Sequence, residues 1–177
     1  MWPGRPPPFE AQGRFDHLVY TAGEALLLGP LAALSPEQAR AFFETRYWGA
    51  LWAAKHAAAH IAAGGSITLT SGTVATRPAA GSSLPASVTG ATEALTRALA
   101  LELAPVRVNA VRPGAVRSGM WTGTVPDPET VYADFASRSP LARVAEPEDI
   151  AAAYVFLMTS SNTTGTILTC DGGAALV

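Results

Sequence analysis

Residues 96–119, TRALALELAPVRVNAVRPGAVRSG, decide the fold. They read as the end of an amphipathic helix, then a buried strand over 107–111, then a Pro113-Gly114 turn. The helix, expected over 86–103, must stop at Ala104-Pro105, because the residue before a proline is pushed out of the helical region. Upstream of it, residues 72–85 are rich in Gly, Pro, Ser and Thr and read as a loop. Downstream comes an irregular region with a short helix around 129–137. Glu146-Pro147-Glu148-Asp149 then opens a helix to about residue 158, its acidic first turn complementing the positive end of the helix dipole. Residues 167–170 make a last strand.

The first half of the chain repeats this alternation. Residues 16–20, DHLVY, are a short apolar run opening into Thr21-Ala22-Gly23, which fits a buried parallel strand. Ser35-Pro36-Glu37-Gln38 carries a cap serine, a proline at the first helical position and a glutamine three residues after the cap. The helix it starts is expected to run to about residue 62 and to be ended by Gly64-Gly65. Residues 66–71, SITLTS, return as a strand. Strands alternating with helices argue for an α/β fold with a mainly parallel sheet, flanking helices and right-handed crossovers.

Composition narrows the class. The chain has 177 residues, enough for one domain, with 49% hydrophobic and 15% charged side chains and a net charge of -2. That balance gives no general attraction to nucleic acid or to an anionic membrane. No segment has the ~18 uninterrupted apolar residues needed to span a bilayer, and the first residues lack the apolar core of a signal peptide. A cytoplasmic protein is expected. Residues 1–14 hold a Pro-rich leader, expected to be extended or disordered, and residues 15–177 the single α/β domain. Cys170, the one cysteine, allows no internal disulfide and reads as a small apolar residue in the last strand.

In order and spacing, these segments resemble the second half of a classical short-chain dehydrogenase/reductase (SDR), a Rossmann-like fold. Thr21-Ala22-Gly23 looks like the family's Asn-Ala-Gly near the adenosine side of the cofactor. Residues 107–111 with Pro113 and Gly114 look like the strand and turn facing the nicotinamide, where Val116 and Ser118 would meet the carboxamide. Residues 146–157 and 165–173 are similar to the closing helix and strand. The resemblance implies NAD or NADP as cofactor and hydride transfer between it and a carbonyl or alcohol. With no clustered Cys and His in the sequence, no metal site is expected.

The family's chemical motifs are missing. The chain contains no Gly-x-Gly, so no dinucleotide fingerprint can be built from it. It also has no Tyr-x-x-x-Lys: Lys55 is the only lysine, and Glu24, Leu51, Ala136 and Met158 stand four places after its tyrosines. Matching residues 91–103 to the family pattern puts Pro85 at the tyrosine position and Thr89 at the lysine position. The lysine matters because an unperturbed tyrosine titrates near 10, far from a useful working pH. The family asparagine falls on Arg46, and the serine on Gly72 or Ser71. Ser71 and Arg46 are therefore the candidate catalytic residues. The bland alternatives are a strand-end serine satisfying its own loop and an arginine on a helix surface.

The resemblance starts just before the strand that normally comes fourth, so about 60 residues of nucleotide-binding βα units are expected to be lacking, judged from the size of such units. The strand at 16–20 would then lie at a sheet edge and invite pairing with another chain. The expected function is that of an SDR-family oxidoreductase, short and catalytically degenerate, whose chain alone does not bind the cofactor. The rivals are a non-catalytic scaffold subunit and a cofactor-independent cyclase or dehydratase reusing the cleft. A small-molecule substrate fits any enzymatic reading. His56 and His60, read as one helical turn apart, have the spacing of a metal pair but no evident third ligand. Trp48, Trp52 and His56 form a stripe expected to pack in the core or at a subunit contact. By resemblance, a homo-oligomer is expected through the helices at 36–62 and 86–103.

Overall fold

The computed structural model describes residues 13–121 and 124–177. The leader expected over residues 1–14 lies, but for its last two residues, outside the described residues. Four strands form one sheet in the order β1-β2-β3-β4: β1 (Phe15–Val19), β2 (Ile61–Thr70), β3 (Arg107–Pro113) and β4 (Ile167–Cys170). Every pair is parallel, with Leu18 opposite Ile67, Ile67 opposite Val108 and Ala110 opposite Ile167. β1 and β4 are the outer strands of the sheet formed by the described residues.

The period of two along the strands sorts side chains onto two covered faces. Ile67, Leu69, Val108 and Ala110 face one side and pack with Ala50, Ala54, Ala57, Leu95 and Leu99. On the other, Val111 packs with Ile150, Ala153, Tyr154 and Leu157. Asn109 also points that way and is fully buried, yet satisfied: its amide donates to the Thr163 carbonyl at 2.8 Å and its oxygen accepts from the Thr166 N–H at 3.0 Å.

The first helical region has three parts: α1 (Pro36–Phe43), a π-helical turn over Glu44–Gly49, and α2 (Ala50–Ala57). The capping box forms as the sequence requires, with the Gln38 N–H donating to Ser35 Oγ at 3.2 Å and the Ser35 N–H donating to Gln38 Oε1 at 2.9 Å. The helix ends at Ala57, short of the expected residue 62. β2 starts early instead, because Ile61 pairs with Phe15 on β1. Gly64-Gly65 is not the helix stop but a bulge inside the strand: β2 advances from Ile61 to Ser66 while β1 advances only from Phe15 to His17. Gly64 takes φ +82°, and a Cβ on Gly65 would collide with the Asp16 carbonyl.

The helix α3 (Ser83–Glu102) begins within the stretch expected to be loop, with Pro85 in its first turn, where a missing N–H is no loss. α4 (Pro128–Ser137) is capped by Asp127, which accepts from the N–H groups of Glu129 and Thr130. α5 (Pro147–Thr159) starts on Glu146 and Asp149 as expected. Its far end is tied to the sheet. Arg107, the first residue of β3, donates to the Leu157 and Met158 carbonyls at 2.7 Å each, placing a cation on the last turn of α5. No helix among the described residues is long and apolar enough to cross a membrane.

Candidate functional site

The carboxyl ends of the strands converge on one large cavity of about 1620 Å³. In open parallel sheets this is where ligands bind. Thr21, Gly23, Arg46, Ser71, Pro113, Gly114, Val116 and Ser118 all line it. Ala22, of the residues assigned to catalysis or cofactor binding, does not.

Ser71 follows the last residue of β2 and is 2% exposed. Its hydroxyl donates to Glu93 Oε1 at 2.7 Å, with the Thr89 carbonyl a longer 3.4 Å away. Glu93 lies inside α3, 5% exposed, and is held by Arg112 of β3: Nε to Oε1 at 2.7 Å and Nη2 to Oε2 at 2.6 Å. Burial works to raise the Glu93 pKa, but hydrogen bonds from Arg112 and Ser71, with the charges of Arg112 and Arg97, outweigh it and hold the carboxyl below its ordinary value. Glu93 is thus a carboxylate and an acceptor only.

Arg46 sits in the π-helical turn. Its Nε donates to Glu24 Oε1 at 2.8 Å, with both side chains largely buried, and its guanidinium lies against Gly23 closely enough that a Cβ there would collide with it. Glu24 Oε2 is buried with no hydrogen-bond partner. Beside this pair, Thr70 Oγ1 donates to the Tyr20 carbonyl at 2.7 Å and lies 2.6 Å from the Tyr154 hydroxyl. Having given its proton to Tyr20, Thr70 must accept from Tyr154. Burial raises the Tyr154 pKa, against lowering by that hydrogen bond and by Arg46.

Pro85 and Thr89 line the cavity in successive turns of α3. Thr89 Oγ1 donates to the Pro85 carbonyl at 2.7 Å, so its proton is bonded back into its own helix. Trp121 closes the apolar side, its indole donating to the Val116 carbonyl at 3.1 Å and its ring packing on Tyr132 and Phe135.

The other candidates stand apart. His60 lies beyond the end of α2, so it is not one helical turn from His56, and no group of metal-binding side chains occurs among the described residues. Trp48 and Trp52 are each 41% exposed, outside the core of this chain. Glu24, Thr70, Glu93, Arg112, Trp121 and Tyr154 were missed by sequence reasoning. One signal was available for Glu93, a lone carboxylate on the core-facing stripe of a helix otherwise lined by uncharged residues such as Val88, Thr92, Leu95 and Leu99.

A family model described as enoyl-(acyl carrier protein) reductase matches residues 9–175. The chain is 41% identical over 176 residues to the short-chain dehydrogenase/reductase ATR9 of Stachybotrys chlorohalonatus, spanning 93% of this chain. It belongs to the short-chain dehydrogenase/reductase family. It spans 65%, 64% and 63% of the lengths of ATR9, ucsE of an Acremonium species and malC of Malbranchea aurantiaca. Among solved structures it is similar to a small-chain dehydrogenase in complex with NADPH (42% identity, TM-score 0.92, covering 96% of this chain and 78% of that one). It is likewise similar to the MalC reductase/Diels–Alderase of Malbranchea aurantiaca (34%, TM-score 0.86, 94% and 65%). Pro113, Gly114, Val116 and Ser118, the residues that the resemblance assigns to the nicotinamide end of a dinucleotide, line the cavity together. For the pyrophosphate, the chain offers no Gly-x-Gly.

Proposed function

We propose that this chain forms the substrate side of an NAD(P)-dependent SDR oxidoreductase fold whose tyrosine and lysine proton relay is lost, so that the chain by itself does not turn over. A nicotinamide dinucleotide, when bound, supplies or takes up the hydride. Pro113, Gly114, Val116 and Ser118 would hold its nicotinamide end, and Thr21 and Gly23 the adenosine side. The remaining wall, from Phe42 and Val88 to Trp121, surrounds an apolar substrate.

The observation that carries this reading is the pair Pro85 and Thr89. Pro85 has no titratable group, and the Thr89 proton is committed to the Pro85 carbonyl. Neither can hold a proton ready for a ketone oxygen at neutral pH. Ser71, one of the two residues on which the family's serine position falls, has its own proton directed at Glu93. Arg46, where the family has asparagine, is paired with Glu24 and serves to hold that wall.

A second reading has one observation behind it. The similar MalC protein is named both a reductase and a Diels–Alderase, and a large cavity whose hydroxyl protons are committed inward suits a reaction that needs enclosure more than proton transfer. The test is NADPH consumption by the purified chain across a panel of ketones, with Ser71→Ala alongside. No turnover above background is expected. Steady turnover that survives Ser71→Ala would overturn the catalytic part of the proposal.

A further inference from the structure

Among the hydroxyls that line the cavity, those of Thr70, Ser71, Thr89 and Tyr154 cluster at the end of β2 and bond within the protein. Each already gives its proton to the protein: Thr70 to the Tyr20 carbonyl, Ser71 to Glu93, Thr89 to the Pro85 carbonyl, and Tyr154 to Thr70. A hydroxyl has one proton and two acceptor positions. What these four hydroxyls still offer a ligand is lone pairs.

We infer that Glu93 sets the substrate class of the site: by fixing the Ser71 proton on itself it turns Ser71 toward the cavity as a hydrogen-bond acceptor, so the cleft takes a neutral hydroxyl-bearing substrate in preference to the matching ketone. Glu93 never meets the ligand and acts through Ser71 as a positioning residue. Its hold is firm, since Arg112 grips both carboxylate oxygens and keeps Glu93 ionised, and an ionised carboxylate cannot return the donor role to Ser71. A ketone oxygen facing Ser71 would meet lone pair with lone pair and would leave its own hydration unreplaced, which is the larger part of such a mismatch. An alcohol in the same place donates. The charges on the wall, Arg46, Arg77, Arg138 and Arg143 against Glu24, Asp149 and Asp171, favour a neutral donor over an ammonium group.

This inference rests on the proposed substrate cleft, and the experiment separates the two. Binding of 4-phenylcyclohexanol, 4-phenylcyclohexanone and the 4-phenylcyclohexylammonium ion to the 177-residue chain is measured by ligand-observed NMR titration up to about 10 mM, near the weak limit for a specific site. The alcohol is expected to bind roughly fivefold or more tightly than the ketone, as for one net hydrogen bond. In Ser71→Ala that preference should vanish. In Glu93→Gln, whose amide can donate to Ser71 and release its proton, it should shrink or reverse. Equal or tighter binding of the ketone, or a preference untouched by Ser71→Ala, overturns the inference and leaves the cleft standing. Tightest binding of the ammonium ion overturns the choice of a neutral donor. Binding of none of the three overturns the cleft itself, and the proposed function with it. Should Glu93→Gln fail to fold, the Ser71→Ala ratio decides alone.

Discussion

Tyr20 Oη donates to the Thr45 carbonyl at 2.6 Å and lies directly over Gly49, where a Cβ would collide with it. The tyrosine thus enters the widened turn and takes a carbonyl the helix would otherwise use, which is one identifiable origin of a π-helical turn. Gly49→Ala should therefore destabilise the protein by about 1–3 kcal/mol, the range of overpacking. Adding Tyr20→Phe removes the colliding atom, so the double variant should regain part of the loss. Urea unfolding of both checks this, and strictly additive effects would contradict it.

Neither NADH nor NADPH should bind the 177-residue chain at micromolar strength. A dinucleotide pyrophosphate is held by a glycine turn at a helix N-terminus, and no Gly-x-Gly occurs in this sequence. Titration calorimetry with both cofactors is the measurement. A dissociation constant below about 10 μM, near -7 kcal/mol, would mean the nicotinamide end alone supplies far more affinity than four lining residues suggest.

Glu93 makes stability depend on acid. Its pKa in the folded chain lies below the ordinary value of 4.5, so its contribution is present in full above that value and is lost as the pH falls through it toward the folded pKa. Asp149, lowered to about 2 by its hydrogen bonds with Arg143 and the Glu146 backbone, acts in the same direction. The fall in Tm between neutral pH and about pH 3 should be smaller in Glu93→Gln than in the parent chain. An identical fall would show that Glu93 titrates alike folded and unfolded. Arg112→Met, which removes two charge-assisted hydrogen bonds and leaves the buried Glu93 carboxylate only Ser71 and the more distant Arg97, should destabilise by about 1–3 kcal/mol at neutral pH.

We propose that the protein is a dimer or higher oligomer through α1, α2 and α3. Trp48 and Trp52 are 41% exposed and Leu101 of α3 is 83% exposed, and aromatic exposure of this kind marks contact surfaces. Light scattering should give at least twice the mass of one chain. Trp52→Glu should split the assembly or render it insoluble, because an unpaired carboxylate is costly to bury. A well-folded monomer of the parent chain would defeat the proposal.

The strands were legible because each is a short apolar run bounded by Gly, Pro or Thr, and two helix starts because Ser35 and Glu146 carry their caps in adjacent residues. The end of α2 was not. Ala57, Ala58 and Ala59 carry no local stop, and what stops the helix is the pairing of Ile61 with Phe15, a contact between segments far apart in sequence. The candidate site divides the same way. Ser71, Arg46, Pro113 and Gly114 could be placed on the cavity by family spacing. In sequence Glu93 shows only as a lone carboxylate on an otherwise uncharged helix stripe, and its meaning comes from Ser71 and Arg112, which two different strands bring to it.

The turn over Glu44–Gly49 also bears on how the chain tolerates changes in length. Phe42 before it and Ala50, Ala54 and Ala57 after it all face inward, a phase that a straight helix would reach with one residue fewer. Each residue of an α-helix turns the chain by about 100°. A one-residue deletion inside the turn would let the helix straighten while every flanking side chain keeps its face. The same deletion within Ala50–Ala57 would rotate all that follows it, carrying Ala57 off the sheet.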